Sequence, residues 1–244
     1  MTTTKKIALV TGGNKGIGLE ICRNLASAGC TVLLGARDAE RGQRAVREIE
    51  EAGIEDVHFI EMDVTRQDII TAAAQQIERR YACLDVLVNN AGVNLRGDGL
   101  PGAADPEVVR KIFDTNFFGA LRVAQTMLPL LRKSAAGRIV NVSSGLGSLT
   151  FSSDPSSPSY NTKFIGYGAS KAALNMLTVQ LAYELRDTTI KVNSANPGFT
   201  KTDLNDNTGP QPVEVGAIAA TRLALLDHDG PTGGSFSKDG CDPW

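Results

Sequence analysis

Apolar and polar positions follow two rhythms along this chain. Short, nearly continuous apolar runs rich in β-branched residues read as buried strands; longer stretches with apolar positions three and four apart read as helices. Lys6–Thr11 (KIALVT) is the first strand and Gly16–Ser27 (GIGLEICRNLAS) the first helix. Thr31–Leu34 is a second strand, followed by a charged amphipathic helix over Ala39–Ala52. Val57–Met62 is a third, with a helix from Arg66 to Tyr81. Leu84–Val88 is the fourth, and one long helix follows from Pro106 to Arg132. Arg138–Val142 is the fifth strand, a helix begins near Tyr167, and Ile190–Ser194 is the sixth strand. Strands separated by helices in strict order imply a parallel sheet covered on both faces. The expected fold class is therefore α/β, a doubly wound parallel sheet with helices on both faces. It forms a single domain over residues 1–244, with no internal repeat or dividing linker.

Composition narrows the function classes. A chain of 244 residues with 42% hydrophobic content can fill one large α/β core. The formal charge of −2, with both signs interspersed, gives no footprint for nucleic acid or a membrane surface. No apolar stretch approaches the roughly 20 residues of a membrane span, and MTTTKKIALVTGG lacks the pattern of a signal peptide. Cys22, Cys30, Cys83 and Cys241 show no CxxC spacing, so reduced thiols in a cytoplasmic protein are expected. Only His58 and His228 are present, without a surrounding ligand cluster, so no metal site is expected.

In doubly wound sheets ligands bind outside the carboxyl ends of the strands. Six clusters fall there: Gly12–Gly18, Arg37, Asp63 with Val64, Asn89–Gly92, Ser144, and Pro197–Thr202. TGGNKGIG joins the first strand to the first helix. Its glycines let backbone approach a pyrophosphate at the helix N-terminus, which makes Gly12, Asn14, Lys15, Gly16, Ile17 and Gly18 candidate cofactor contacts. The plain alternative is a tight strand–helix turn. About 20 residues further on, where an acidic residue would select NAD, stand Ala36 and Arg37. A guanidinium there suits a 2′-phosphate, with Lys15 as a second cation, so NADP(H) is the expected cofactor. Asp38 could compete for Arg37 or bind a ribose itself. Asp63 suits an adenine amino group or its neighbouring backbone; Asn90, Ala91 and Gly92 suit a ribose; Asn89 could serve only structure.

Tyr167 and Lys171 stand at i and i+4 and share a helical face. A nearby ammonium typically lowers a phenol pKa by ~1–3 units, which would make Tyr167 a usable general acid–base. Ser144, ending the run GRIVNVSS, could polarise an oxygen. Asn116, inside the long helix, could take over a backbone partner or hold a water.

TGGNKGIG, NNAG, Asn116, the Ser–Tyr-x-x-x-Lys set and PGFTKT together resemble the short-chain dehydrogenase/reductase family. The ARD of Ala36–Asp38, TNFFG and the ending GPTGGSFSKDGCDPW resemble its NADPH-dependent carbonyl reductases. The resemblance spans essentially the whole chain and implies a Rossmann-type fold. It implies that Tyr167 exchanges the substrate proton and that Lys171 lowers its pKa and binds the nicotinamide ribose. Ser144, rather than Ser143, would hold the carbonyl oxygen, and Asn116 the water linking Lys171 to solvent. Pro197, Gly198, Thr200 and Thr202 would flank the nicotinamide. The substrate would be a small carbonyl compound, with a 3-oxoacyl thioester or an alcohol as alternatives. A non-catalytic NADPH-binding regulator is the alternative of another class. The separation of Ser144 from Tyr167 exceeds that of compact members. The extra segment, Thr150–Lys163, reads as a surface loop that could block subunit contacts, so a monomer is expected. That loop and Phe199–Pro212 would wall the substrate site.

Overall fold

A computed structural model describes residues 5–244, so the first four residues of the N-terminal reading lie outside the described residues. An eight-stranded sheet runs through the chain in the order β3-β2-β1-β4-β5-β6-β7-β8. Its strands are β1 (Ile7–Thr11), β2 (Thr31–Ala36), β3 (Val57–Glu61), β4 (Val86–Asn89), β5 (Arg138–Val142), β6 (Lys191–Ala195), β7 (Ser235–Ser237) and β8 (Gly240–Asp242). All neighbours pair in parallel except β7 with β8.

Alternate residues of each strand feed opposite cores, as the pleat requires. Ile7 and Leu9 of β1 join one cluster with Ile70, Val123 and Leu174. Ala8 and Val10 join the other with Ile21, Ile49 and Leu223. Helices α1 (Gly16–Ser27) and α2 (Ala39–Glu51) cover the second cluster, and α3 (Gln67–Tyr81) the first. Two-sided burial is why the strands read as continuous apolar runs rather than alternating ones.

The expected single helix over Pro106–Arg132 is instead three segments. They are α4 (Pro106–Phe113), a π-helical turn (Asp114–Gly119) and α5 (Ala120–Leu131). The π turn coincides with two tertiary contacts. Asn116 reaches into the loop after β4, and Gly119 packs against Val64, where an added Cβ would lie 2.7 Å from Val64 Cγ2.

The Thr150–Lys163 segment is mostly exposed, as expected, but begins inside a short helix, α6 (Leu149–Ser153). Trp244 O accepts from Thr150 N and Oγ1, at 3.0 and 2.7 Å, which ties the last residue to that helix. The helix bearing Tyr167 is α7 (Ile165–Glu184), and α8 (Val213–Ala224) lies between β6 and β7. The periodicity reading stops at Ser194 and does not anticipate α8, β7 or β8. Among the described residues no helix is long and apolar enough to cross a membrane.

Candidate active site

The strand order changes direction between β1 and β4, so their carboxyl ends open the crevice where ligands bind in such sheets. Thr11 ends β1, and its Oγ1 accepts from the amides of Asn90 and Ala91, each at 3.0 Å. Asn90 Nδ2 returns two bonds, to Thr11 O at 3.0 Å and Gly12 O at 3.2 Å. The Asn90 amide, expected to line a ribose, is thus committed to bracing the glycine loop. Gly18 is required by this close packing, since a Cβ there would overlap Asn90 Nδ2 and Gly12 O. Gly12 and Gly16 adopt φ of 65° and 56°, left-handed conformations that favour glycine. Asn14 and Ile17 are partly exposed within the loop, and α1 begins with no side-chain cap, leaving first-turn amides for an anion.

The two expected 2′-phosphate cations fare differently. Arg37 is exposed just beyond β2 and makes no ion pair among the described residues. Asp38 does not compete for it. Its carboxylate caps α2, accepting from Arg41 N at 2.9 Å, and pairs with the Arg41 side chain. Lys15, by contrast, is held by Asp203. Two further expectations shift from side chain to backbone or local structure. Asp63 Oδ1 accepts from Thr65 N and Oγ1, closing a local turn. Val64 is buried under Gly119, so only its main chain can face a ligand.

Across the crevice, Ser144 follows β5, and its hydroxyl faces Tyr167. Ser143 is buried with its hydroxyl directed at Lys171 O, which leaves Ser144 as the serine on the site. Lys171 is 3% exposed, lies with Nζ 5.6 Å from the centre of the Tyr167 ring, and donates to Val142 O at 2.8 Å. Burial pushes Lys171 down to about 8. Burial also pushes the Tyr167 phenol up to about 12, with Ser144 acting in the opposite sense. The expected lowering of the phenol by the ammonium is therefore not what the site produces. Lys171 reaches the backbone of β5 rather than the phenolic oxygen, and loss of hydration dominates.

Asn116 is 1% exposed. Its Oδ1 accepts from Val93 N at 2.8 Å, and Nδ2 donates to Val93 O and Ser170 Oγ, both at 3.0 Å. It does take over backbone partners, fastening the loop after β4 to α7 through Ser170, whose hydroxyl donates to Tyr167 O. A Cβ on Gly92 would lie 3.4 Å from Lys171 Nζ and 3.5 Å from Asn116 Oδ1, so both groups flank one point beside Gly92. Asn89 serves structure: it donates to Asn141, which donates to Thr178, itself bonded to Ser194.

Beyond β6, Pro197 and Gly198 begin the loop expected to meet the nicotinamide. Thr200 is buried and bonds Pro197 O, so its hydroxyl is internal to the loop. Thr202 Cγ2 packs over Gly16. Two residues missed by sequence reasoning hold this rim. Asn196 Oδ1 accepts from Gly145 N and Gly198 N, joining the loops after β5 and β6, and Nδ2 donates to Asp242. Asp98 bonds the first turn of α7. Asn before Pro and Asp before Gly are turn signals, but neither reveals a partner so distant in sequence.

A family model described as short chain dehydrogenase matches residues 6–212. A short-chain dehydrogenase of Penicillium roqueforti is 38% identical over 227 residues, covering 91% of this chain and 89% of that protein. The (+)-neomenthol dehydrogenase of Capsicum annuum is 32% identical, covering 97% of each. Among solved structures, salutaridine reductase from Papaver somniferum superposes with a TM-score of 0.83 at 30% identity, covering 96% of this chain and 99% of that one. NADPH-bound carbonyl reductase from chicken fatty liver does so with 0.85 at 25% identity, covering 99% of each.

Proposed function

Because the chain belongs to the short-chain dehydrogenase family, an oxidoreductase family, we propose that it is an NADPH-dependent reductase of ketones or aldehydes. The observation that carries this reading is the meeting of the Ser144 hydroxyl, the Tyr167 phenol and the buried Lys171 ammonium beside Gly92 of the loop after β4. The residues present fit a 2′-phosphorylated dinucleotide. The uncapped amides of α1 suit the pyrophosphate, Arg37 has a guanidinium to spare, and Lys171 has protons beyond the one given to Val142 O. Asp63, Val64 and Ala91 would contact it by backbone or the remaining carboxylate oxygen, as would Pro197, Gly198, Thr200 and Thr202. Several solved relatives are bound to NADP or NADPH, which supports the same choice.

Bound NADPH supplies the hydride. Ser144 orients the carbonyl oxygen, and Tyr167 gives it a proton. A phenol pushed up to about 12 is protonated at neutral pH, the form that can give a proton to the carbonyl oxygen. Lys171 keeps its ammonium 5.6 Å from the centre of the Tyr167 ring, donating to Val142 O with protons left for the cofactor. Asn116 with Ser170 holds the helix that carries both Tyr167 and Lys171. The substrate lies between the 150–163 segment and the 199–212 loop. We place the enzyme in the cytoplasm as a monomer, a state that sedimentation as a stable tetramer would overturn.

The reading is tested by NADPH and NADH oxidation against ketones, quinones, aldehydes and 3-oxoacyl thioesters. Turnover that collapses in Tyr167→Phe while NADPH still binds supports it. An unchanged rate in Tyr167→Phe would remove it, and tight NADPH binding with no turnover would favour the regulator.

A further inference from the structure

Tyr167 is the third residue of α7 and sits between Gly166 and Gly168. Helix ends fray, and glycine is the most conformationally free of residues. A proton donor placed there needs its helix end fixed by something else. Phe164, at the N-cap, offers no side-chain bond.

The fixing groups come from the loop after β4. Asp98 Oδ1 accepts from Gly166 N and Oδ2 from Tyr167 N, each at 2.8 Å. The neighbouring Gly99 O accepts from Ile165 N at 2.9 Å. One dipeptide thus satisfies the first three amides of the helix. The carboxylate is itself aimed by a tight turn. Asp98 N donates to Leu95 O, and Asp98 Oδ1 also accepts from Gly99 N. Gly97 holds φ of 99°, with a would-be Cβ 3.1 Å from Val108 of α4. Gly166 completes the fit, because a Cβ there would lie 3.1 Å from both carboxylate oxygens.

A carboxylate on helix N-terminal amides makes charge-assisted bonds and complements the helix dipole. We propose that Asp98 is a positioning residue of the reaction, capping α7 from the loop after β4 so that the Tyr167 phenol stays aligned with Ser144. Its carboxylate acts through the amides of Gly99, Gly166 and Tyr167. The inference rests on the reductase reading and adds to it a residue outside the Ser–Tyr–Lys set.

The test compares native enzyme, Asp98→Asn and Asp98→Ala by steady-state kinetics, NADPH titration and thermal melting. Misplacement of a reacting group by about 1 Å can cost ~100-fold. Asp98→Ala is therefore expected to lower kcat by roughly 10–100-fold while NADPH affinity changes by less than about twofold. Asp98→Asn keeps one acceptor oxygen and is expected to fall between. If Asp98→Ala does not fold, Asp98→Asn is judged by the same criteria. An unchanged kcat, or parallel loss of kcat, NADPH affinity and melting temperature, would overturn the proposal in favour of a merely structural cap. A native enzyme silent towards every carbonyl would instead remove the reductase reading and this inference with it.

Discussion

Lys15 Nζ lies 2.8 Å from Asp203 Oδ2, joining the glycine loop to the loop after β6 across the mouth of the crevice. Both side chains are about 60% exposed, at 60% and 63%. Exposed pairs contribute little to stability, so the interest of this one lies in competition. An ammonium engaged by a carboxylate is less available to a 2′-phosphate. The Lys15 partner also holds the Asp203 carboxyl below its usual range. Asp203→Asn is expected to tighten NADPH binding a few-fold with a smaller effect on NADH, measured by nucleotide fluorescence titration. Weaker binding of both nucleotides would show that the pair closes the loop over the pyrophosphate instead.

Among the described residues Arg37 makes no ion pair, because Asp38 is occupied with the cap of α2. A charge-assisted bond to phosphate contributes about 1.5–3 kcal/mol, or roughly 10–100-fold in affinity. Arg37→Asp is expected to weaken NADPH by that factor and to move preference toward NADH. The ratio of kcat/KM for the two nucleotides checks it, and an unchanged ratio would mean the 2′-phosphate is held elsewhere.

Much of this site is legible in the sequence because its signals are local. The glycine loop follows a strand, and Tyr167 and Lys171 share a helical face whatever surrounds them. What escapes is set by tertiary contact. The hydrophobic period runs through Pro106–Arg132 without a break, and the π turn shows itself only where Asn116 bonds Val93 and Gly119 meets Val64. Strands β7 and β8 have three residues each, too short for periodicity to register. The ionisation of Tyr167 and Lys171 also escapes, since it depends on how deeply the groups are buried rather than on their spacing. Asp98 and Asn196 act on partners far along the chain.

The titration of Lys171 is expected to set an alkaline limit on activity. Its burial-lowered value of about 8 means the ammonium is present below that pH and is lost as pH rises through it. Tyr167, held at about 12, stays protonated over the same range. Reduction is expected to be level through neutral pH and to fall above about 8, with the drop following Lys171 rather than Tyr167. A pH profile of kcat measured at saturating NADPH tests this; a fall that begins only beyond pH 10 would assign the limit to the phenol.

Asn116 is the residue whose loss combines structure and chemistry most directly. Asn116→Ala leaves Val93 N and O and the Ser170 hydroxyl without their partner in a site where the native side chain is 1% exposed. An unsatisfied buried polar group costs about 1–3 kcal/mol. Because water can enter the vacated space, a total near ~2–4 kcal/mol is expected rather than the full sum. Asn116→Asp keeps the acceptor for Val93 N but replaces the donor to Val93 O and Ser170 with a second acceptor. It also sets a carboxylate beside the point that Lys171 Nζ flanks. A neighbouring negative charge favours the ammonium, so in this variant the alkaline limit of activity is expected to move upward while stability still falls. Chemical denaturation and the pH profile, measured together on both variants, separate the two effects. A destabilised Asn116→Asp enzyme with an unmoved alkaline limit would show that position 116 acts through its hydrogen bonds to Val93 and Ser170 and not on the charge of Lys171.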